Sequence, residues 1–262
     1  MKIVVKIGTS TLTHASGCVN IRRIETLVKI LSDMKNAGND VVLVSSGAIG
    51  MGVGKLNLKE RPRDISGKQA AAAVGQCELM YIYDKLFSEY NHTVAQILLT
   101  APDLQVESRH AKFNATMARL TELGVLPIIN ENDTVATEEI EFGDNDKLAA
   151  FVAASVGADL LILLSDIDGL YSADPHKDPH ATLIREVHEL TSDIMALGGG
   201  AGSTLGTGGM ATKLHAAEIA TAAGCDMIIA NGACPELLYN ILDNKPVGTR
   251  FYAQKVKERG NV

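Results

Sequence analysis

The chain has 262 residues, 46% of them hydrophobic, enough to bury one sizeable core. Its 24 Lys and Arg against 31 Asp and Glu leave a formal net charge of −7, which disfavours nucleic acid or an anionic membrane surface as the main partner, since both select basic faces. Trp is absent and aromatics are 4%, so base-stacking platforms are not expected. The cysteines (Cys18, Cys77, Cys225, Cys234) are scattered without a C-x-x-C pair, and no leader or 18-residue apolar run is seen. This composition excludes secreted, membrane, fibrous and disordered classes, and the expectation is a reduced, cytoplasmic, soluble protein.

Strands and helices alternate along the chain. Apolar runs at Ile3–Ile7, Val41–Val44, Val94–Leu99, Val125–Ile129, Leu160–Leu164 and Met227–Ala230 predict strands of a parallel sheet covered on both faces. Ile21–Asn36 carries Ile24, Leu27, Val28 and Leu31 at helical spacing, with Gly38 beyond its end. Gly67–Tyr90 and His110–Leu123 predict further helices. Asp144-Asn145-Asp146 predicts an acidic cap opening another, and a last helix starts within Gly208–Ala211 and ends before Gly224. The glycines of Gly47–Gly54 predict a loop able to nest an anion. This order predicts an α/β fold, an αβα sandwich with a mainly parallel central sheet. One domain is expected over 1–262, with an N-terminal lobe over about 1–157 and a C-terminal lobe over about 158–262.

Ligands in such sheets bind beyond the carboxyl ends of the strands, and four of those ends carry polar clusters: Lys6–Ser10, Ser45–Gly50, Asn130–Asp133 and Ser165–Gly169. Lys6 is a charge in an otherwise apolar strand, which calls for a partner or a bound anion. Residues 198–209 hold seven of the 24 glycines, directly before Met210-Ala211-Thr212-Lys213. Such a loop leading into a helix N-terminus is an anion site, and Lys213 sits where the helix dipole disfavours a cation unless an anion is bound. Neither Lys55 nor Lys213 fits a P-loop, because Leu follows each. Gly206–Ala211 matches G-x-G-x-x-A, but no strand precedes it, which disfavours a dinucleotide fold. His176 and His180 lie beside Pro175 and Pro179, unsuited to a helical metal pair, and Asp166-x-Asp168-Gly169 lacks the later Glu of a calcium loop. Glu138–Glu141 reads as a solvated hairpin or lid.

Six stretches taken together resemble the amino acid kinase family: Lys6–Ser10, Ser45–Ile49, Ile129–Asp133, Phe142–Asp146, Ser165-Asp166 with Gly169–Tyr171 and Ala173–Pro175, and Gly206–Lys213. The resemblance runs from residue 2 to about 253. It implies ATP as phosphoryl donor, with Mg²⁺ held through the nucleotide's phosphates and water rather than by assigned protein ligands. It implies L-glutamate as acceptor, and so the carboxylate chemistry that opens proline synthesis. Lys6 and Lys213 would stabilise the transferring phosphoryl group, with Asp146 holding both. Ser46, Asp133 and Asn145 would bind the amino acid, Asp133 facing its ammonium. Lys6, Ser165, Asp166, Thr207, Gly208, Gly209, Met210, Ala211, Thr212 and Lys213 would bind ATP.

The resemblance also implies a homo-oligomer, proline as feedback inhibitor and a glutamyl phosphate reductase downstream. Many members carry a C-terminal PUA domain, which is not expected here. Other readings are a family member acting on acetylglutamate, aspartate or uridylate, or a non-catalytic sensor of ATP or amino acid; the joint presence of Lys6, Lys213 and Asp146 argues against the sensor. A carboxylate acceptor is already ionised at neutral pH and needs no general base, so the chemistry calls for charge neutralisation, which two lysines, Mg²⁺ and a helix N-terminus provide.

Overall fold

The computed structural model describes residues 1–14, 18–135, 145–175, 177–199 and 209–254. The first half runs β1 (Lys2–Ile7), α1 (Thr9–Leu12), α2 (Ile21–Asn36), β2 (Asp40–Ser45), α3 (Ala48–Lys55), α4 (Ile65–Ser88), β3 (Val94–Leu99), α5 (Ala101–Gln105), α6 (Glu107–Glu122) and β4 (Leu126–Glu131). The second runs α7 (Asn145–Val156), β5 (Leu160–Ser165), β6 (Glu186–Val187), α8 (Ser192–Ala196), α9 (Met210–Ala222), β7 (Asp226–Asn231), α10 (Leu237–Leu242) and β8 (Thr249–Phe251).

The eight strands form one sheet in the order β3-β4-β2-β1-β5-β7-β8-β6. All neighbours pair in parallel except β7 with β8. β1 lies at the centre with β2 and β5 on either side, so successive crossovers leave it in opposite directions. The crevice such a reversal opens at the carboxyl edge is where an α/β sheet holds its ligand.

Alternation along the strands feeds two cores. Ile3, Val5 and Ile7 face one with Leu27, Leu31, Leu79 and Tyr83. Val4 faces the other with Leu148, Val152, Leu214 and Ala217. Lys6, two residues on from Val4, therefore points to the face covered by α7 and α9.

The six predicted strands are present, each within a residue or two of its predicted bounds. β6 and β8 have two and three residues, too short for an alternating pattern. β8 is fixed instead by buried Thr249, whose Oγ1 accepts from Leu170 N at 2.7 Å and donates to Ile184 O at 2.6 Å.

The Gly47–Gly54 segment corrects the expectation of a phosphate-nesting loop: apart from Gly47, which caps it at φ 105°, it is helix α3. Its glycines serve close packing. A Cβ at Gly52 would lie 1.8 Å from Ala71 O, and one at Gly75 would lie 1.8 Å from Ala48 O. Only glycine lets the backbones of α3 and α4 meet at these points. α4 begins earlier than predicted because Asp64 caps it, accepting from Gly67 N at 2.7 Å.

Candidate active site

At the carboxyl edge, the starts of α7 and α9 meet the ends of β1, β2, β4, β5 and β7. Lys6 from β1, Asp146 from the first turn of α7 and Lys213 from the start of α9 meet in the interior, exposed by 4%, 0% and 3%. Lys6 Nζ lies 2.5 Å from Asp146 Oδ1, and Lys213 Nζ lies 2.9 Å from Oδ2. Within this trio two positive charges share one negative charge. Ion pairs this dry hold only where their geometry is good. Asn145 and Asp146 open α7 as expected, Asp146 in its acidic first turn, and both side chains turn inward to partners on other elements.

Beside the trio, Asn145 ties α7 to the ends of β2 and β4. Its Nδ2 lies 3.0 Å from Ser45 O, 2.9 Å from Ser46 Oγ and 2.8 Å from Asn130 Oδ1. Asn130 Oδ1 also accepts from Glu131 N at 2.9 Å, and Asn130 Nδ2 donates to Gln76 Oε1 at 2.8 Å. Ser45 Oγ meets Tyr83 Oη at 2.9 Å, and burial pushes that phenol far above the ordinary tyrosine range, so it stays neutral. Sequence reasoning missed Gln76 and Tyr83, both on α4, and gave Asn130 no role although it stands in a family motif. Gln76 lies in an Ala-rich helix where nothing local marks it.

β4 ends in two acids. Burial and then the charge of Asp133 push the Glu131 carboxyl up to about 7. Burial also raises the Asp133 carboxyl, against the opposing pull of Arg61.

Across the trio, Ser165 is buried at the end of β5, and its Oγ donates to exposed Asp166 Oδ1 at 3.0 Å. Asn231 at the end of β7 donates to Asp168 Oδ1 at 2.8 Å, a contact absent from the sequence reading. Gly209 caps α9, Met210 and Ala211 form its first turn, and Thr212 Oγ1 donates to Gly209 O at 2.7 Å. Thr212 Oγ1 also lies 3.5 Å from Asp146 Oδ2, so the start of α9 abuts the trio. Residues 200–208, with Thr207 and Gly208 among them, His176 and Glu138–Asp144 lie outside the described residues. Among the described residues no three acidic, imidazole or thiol side chains gather as a metal cage. Oxygen donors that remain at the strand ends suit an ion such as Mg²⁺, which keeps water and phosphate ligands.

Buried lysines at a strand end and a helix start, beside a cluster of polar strand ends, suit the charge neutralisation that phosphoryl transfer needs. The sequence profile of the Amino acid kinase family matches residues 1–231, and the chain belongs to that family. The glutamate 5-kinase of Clostridium perfringens is 54% identical over 97% of this chain and 96% of its own length. That of Listeria innocua is 49% identical over 97% and 94%. Another, from Moorella thermoacetica, is 53% identical over 95% of this chain but only 66% of its own longer length. Among solved structures, carbamate kinase from Giardia lamblia bound to AMP-PNP superposes with a TM-score of 0.67 at 19% identity, covering 97% and 98% of the two chains. UMP kinase from Ureaplasma parvum does so with 0.64 at 14%, covering 96% and 98%. These structural likenesses carry the fold. No helix among the described residues is long and apolar enough to cross a membrane.

Proposed function

We propose that the protein is an ATP-dependent glutamate 5-kinase, transferring the γ-phosphoryl group of ATP to the side-chain carboxylate of L-glutamate. The buried Lys6–Asp146–Lys213 trio carries this reading, beside relatives of that name matched along nearly their full length. The acceptor is ionised at neutral pH, so the barrier is the approach of an anion to a polyanion. Lys6 and Lys213 offset that charge, and Asp146 keeps the two ammonium groups apart and oriented. Ser46, Asn145 and Asp133 hold the amino acid, Asp133 at its ammonium. Ser165, Asp166 and 207–213 hold the nucleotide. Mg²⁺ arrives on the ATP phosphates and adds charge neutralisation there.

The chain works as one domain whose N-terminal lobe (about 1–157) takes the amino acid and whose C-terminal lobe (about 158–262) takes ATP. Its acyl phosphate product is labile, so a glutamyl phosphate reductase consumes it directly in proline synthesis. The protein acts in the cytoplasm as a homo-oligomer, and proline inhibits by overlapping the glutamate site. Proline that inhibits without competing with glutamate would count against that overlap.

The deciding experiment measures ADP release from Mg-ATP while hydroxylamine traps the acyl phosphate, with L-glutamate, aspartate, acetylglutamate and UMP run side by side. Hydroxamate from L-glutamate alone is the expected result. Turnover of another acceptor would discard the substrate assignment, and nucleotide binding without turnover would point to a sensor.

A further inference from the structure

The chain of amides beside the trio has only one allowed polarity. Glu131 N is a backbone donor, so the Asn130 atom 2.9 Å from it is oxygen. That oxygen, and the Ser45 carbonyl at 3.0 Å, both face the same Asn145 atom, which must be its NH₂. The remaining end of Asn130 is therefore a donor, and the Gln76 atom it meets at 2.8 Å is Oε1. Two ends are left over: Gln76 Nε2, a donor, and Asn145 Oδ1, an acceptor.

Neither leftover atom has a hydrogen-bond partner among the described residues, and neither is among the sealed unpaired atoms, so both still meet solvent. Both residues are only 7% exposed. A polar group this withdrawn loses water without gaining a partner, unless a ligand supplies one. Gln76 directly follows Gly75, whose close packing on Ala48 O holds α4 against the turn after Ser46.

A donor and an acceptor at opposite ends of one rigid amide chain complement a zwitterion. We propose that Gln76 is a specificity-determining residue of the acceptor site: its Nε2 donates to the α-carboxylate of the bound amino acid, while Asn145 Oδ1 accepts from the ammonium group beside Asp133. The assignment rests on the amino-acid kinase reading above and adds to it the residue that recognises the end of the substrate that does not react.

Gln76→Glu separates recognition from support, because a carboxylate still accepts from Asn130 Nδ2 but has lost the donor. The expected result is a KM for L-glutamate raised about 30-fold or more, with the KM for ATP within about twofold, and a somewhat lower Tm from the carboxylate buried in place of a neutral amide. Gln76→Met keeps the volume without adding charge. It should raise the KM for glutamate about tenfold, leave that for ATP alone, and lower Tm because Asn130 Nδ2 loses its acceptor. A folded Q76E enzyme with a wild-type KM for glutamate would reduce Gln76 to a support for Asn130 and overturn the proposal. If Q76E does not fold, Q76M decides: equal rises in both KM values, or none, overturn it as well. Wild-type enzyme that yields no hydroxamate from L-glutamate is a separate failure, of the reaction itself, seen before any variant is made.

Discussion

Lys6 Nζ stands 2.5 Å from Oδ1 of Asp146, the contact that joins the central strand to the first turn of α7. Lys213 occupies the other oxygen at 2.9 Å. One carboxylate thus sets the spacing of two cations drawn from opposite halves of the chain. This spacing is established in folding, before any substrate arrives.

Replacing Asp146 by Asn keeps the shape and removes the shared charge. Stability should fall by roughly 3–5 kcal/mol, as when one partner of a buried ion pair is deleted, and kcat by about 10²–10³. Chemical denaturation alongside the hydroxamate assay tests both. A D146N enzyme with wild-type kcat would remove Asp146 from the machinery.

Lys6→Met and Lys213→Met should each lower kcat by about 10²–10³. Because the two lysines act on one group through one carboxylate, the double variant should be no worse than about tenfold below the weaker single one. Full multiplicative losses in a double-mutant cycle would show that they act separately.

The raised Glu131 carboxyl gives a pH dependence of unusual sign. Its folded pKa of about 7 lies above the ordinary 4.5, so between these values the folded protein holds the extra proton. Stability then falls as pH rises through that window, and the penalty is complete above it. Glu131→Gln should therefore raise Tm at pH 8 and leave it nearly unchanged at pH 4.5. A Tm difference independent of pH would refute the assignment.

Gly75→Ala places a methyl 1.8 Å from Ala48 O. The helices must part, at about 1–3 kcal/mol, and the neighbouring Gln76 must shift with them. A lower Tm should accompany a raised KM for glutamate and an unchanged KM for ATP. A G75A enzyme as stable as wild type would mean that α3 and α4 have room to yield.

Strand content was legible because parallel strands buried on both faces leave unbroken apolar runs, such as Leu160–Leu164. α3 was not, because the glycines that allow its backbone to touch α4 carry the composition of a loop. Strand β8, between β7 and the edge strand β6, depends on Thr249 bonds that span distant segments. In the site, each lysine was conspicuous by itself, Lys6 for its apolar strand and Lys213 for its place at a helix start. Their junction through Asp146 was named from family resemblance, since residues 6, 146 and 213 meet only through tertiary structure. Gln76 left no local trace, because its significance lies in the polarity of a hydrogen-bond chain that begins at a backbone amide on β4.

The backbone contact between α3 and α4 has a consequence for substrate length. Ser46 precedes the first of these helices, and Gln76 sits on the second beside Gly75. Where backbone meets backbone at Gly52 and Gly75, there is no side chain to compress, and this wall behaves as a fixed gauge. An acceptor one methylene shorter than glutamate, gripped at the same wall, leaves its reacting carboxylate short of the lysines by about 1 Å, a gap that costs about 10²-fold in rate. Selection of glutamate over aspartate would then be a measurement of distance, made by two glycines that touch neither molecule.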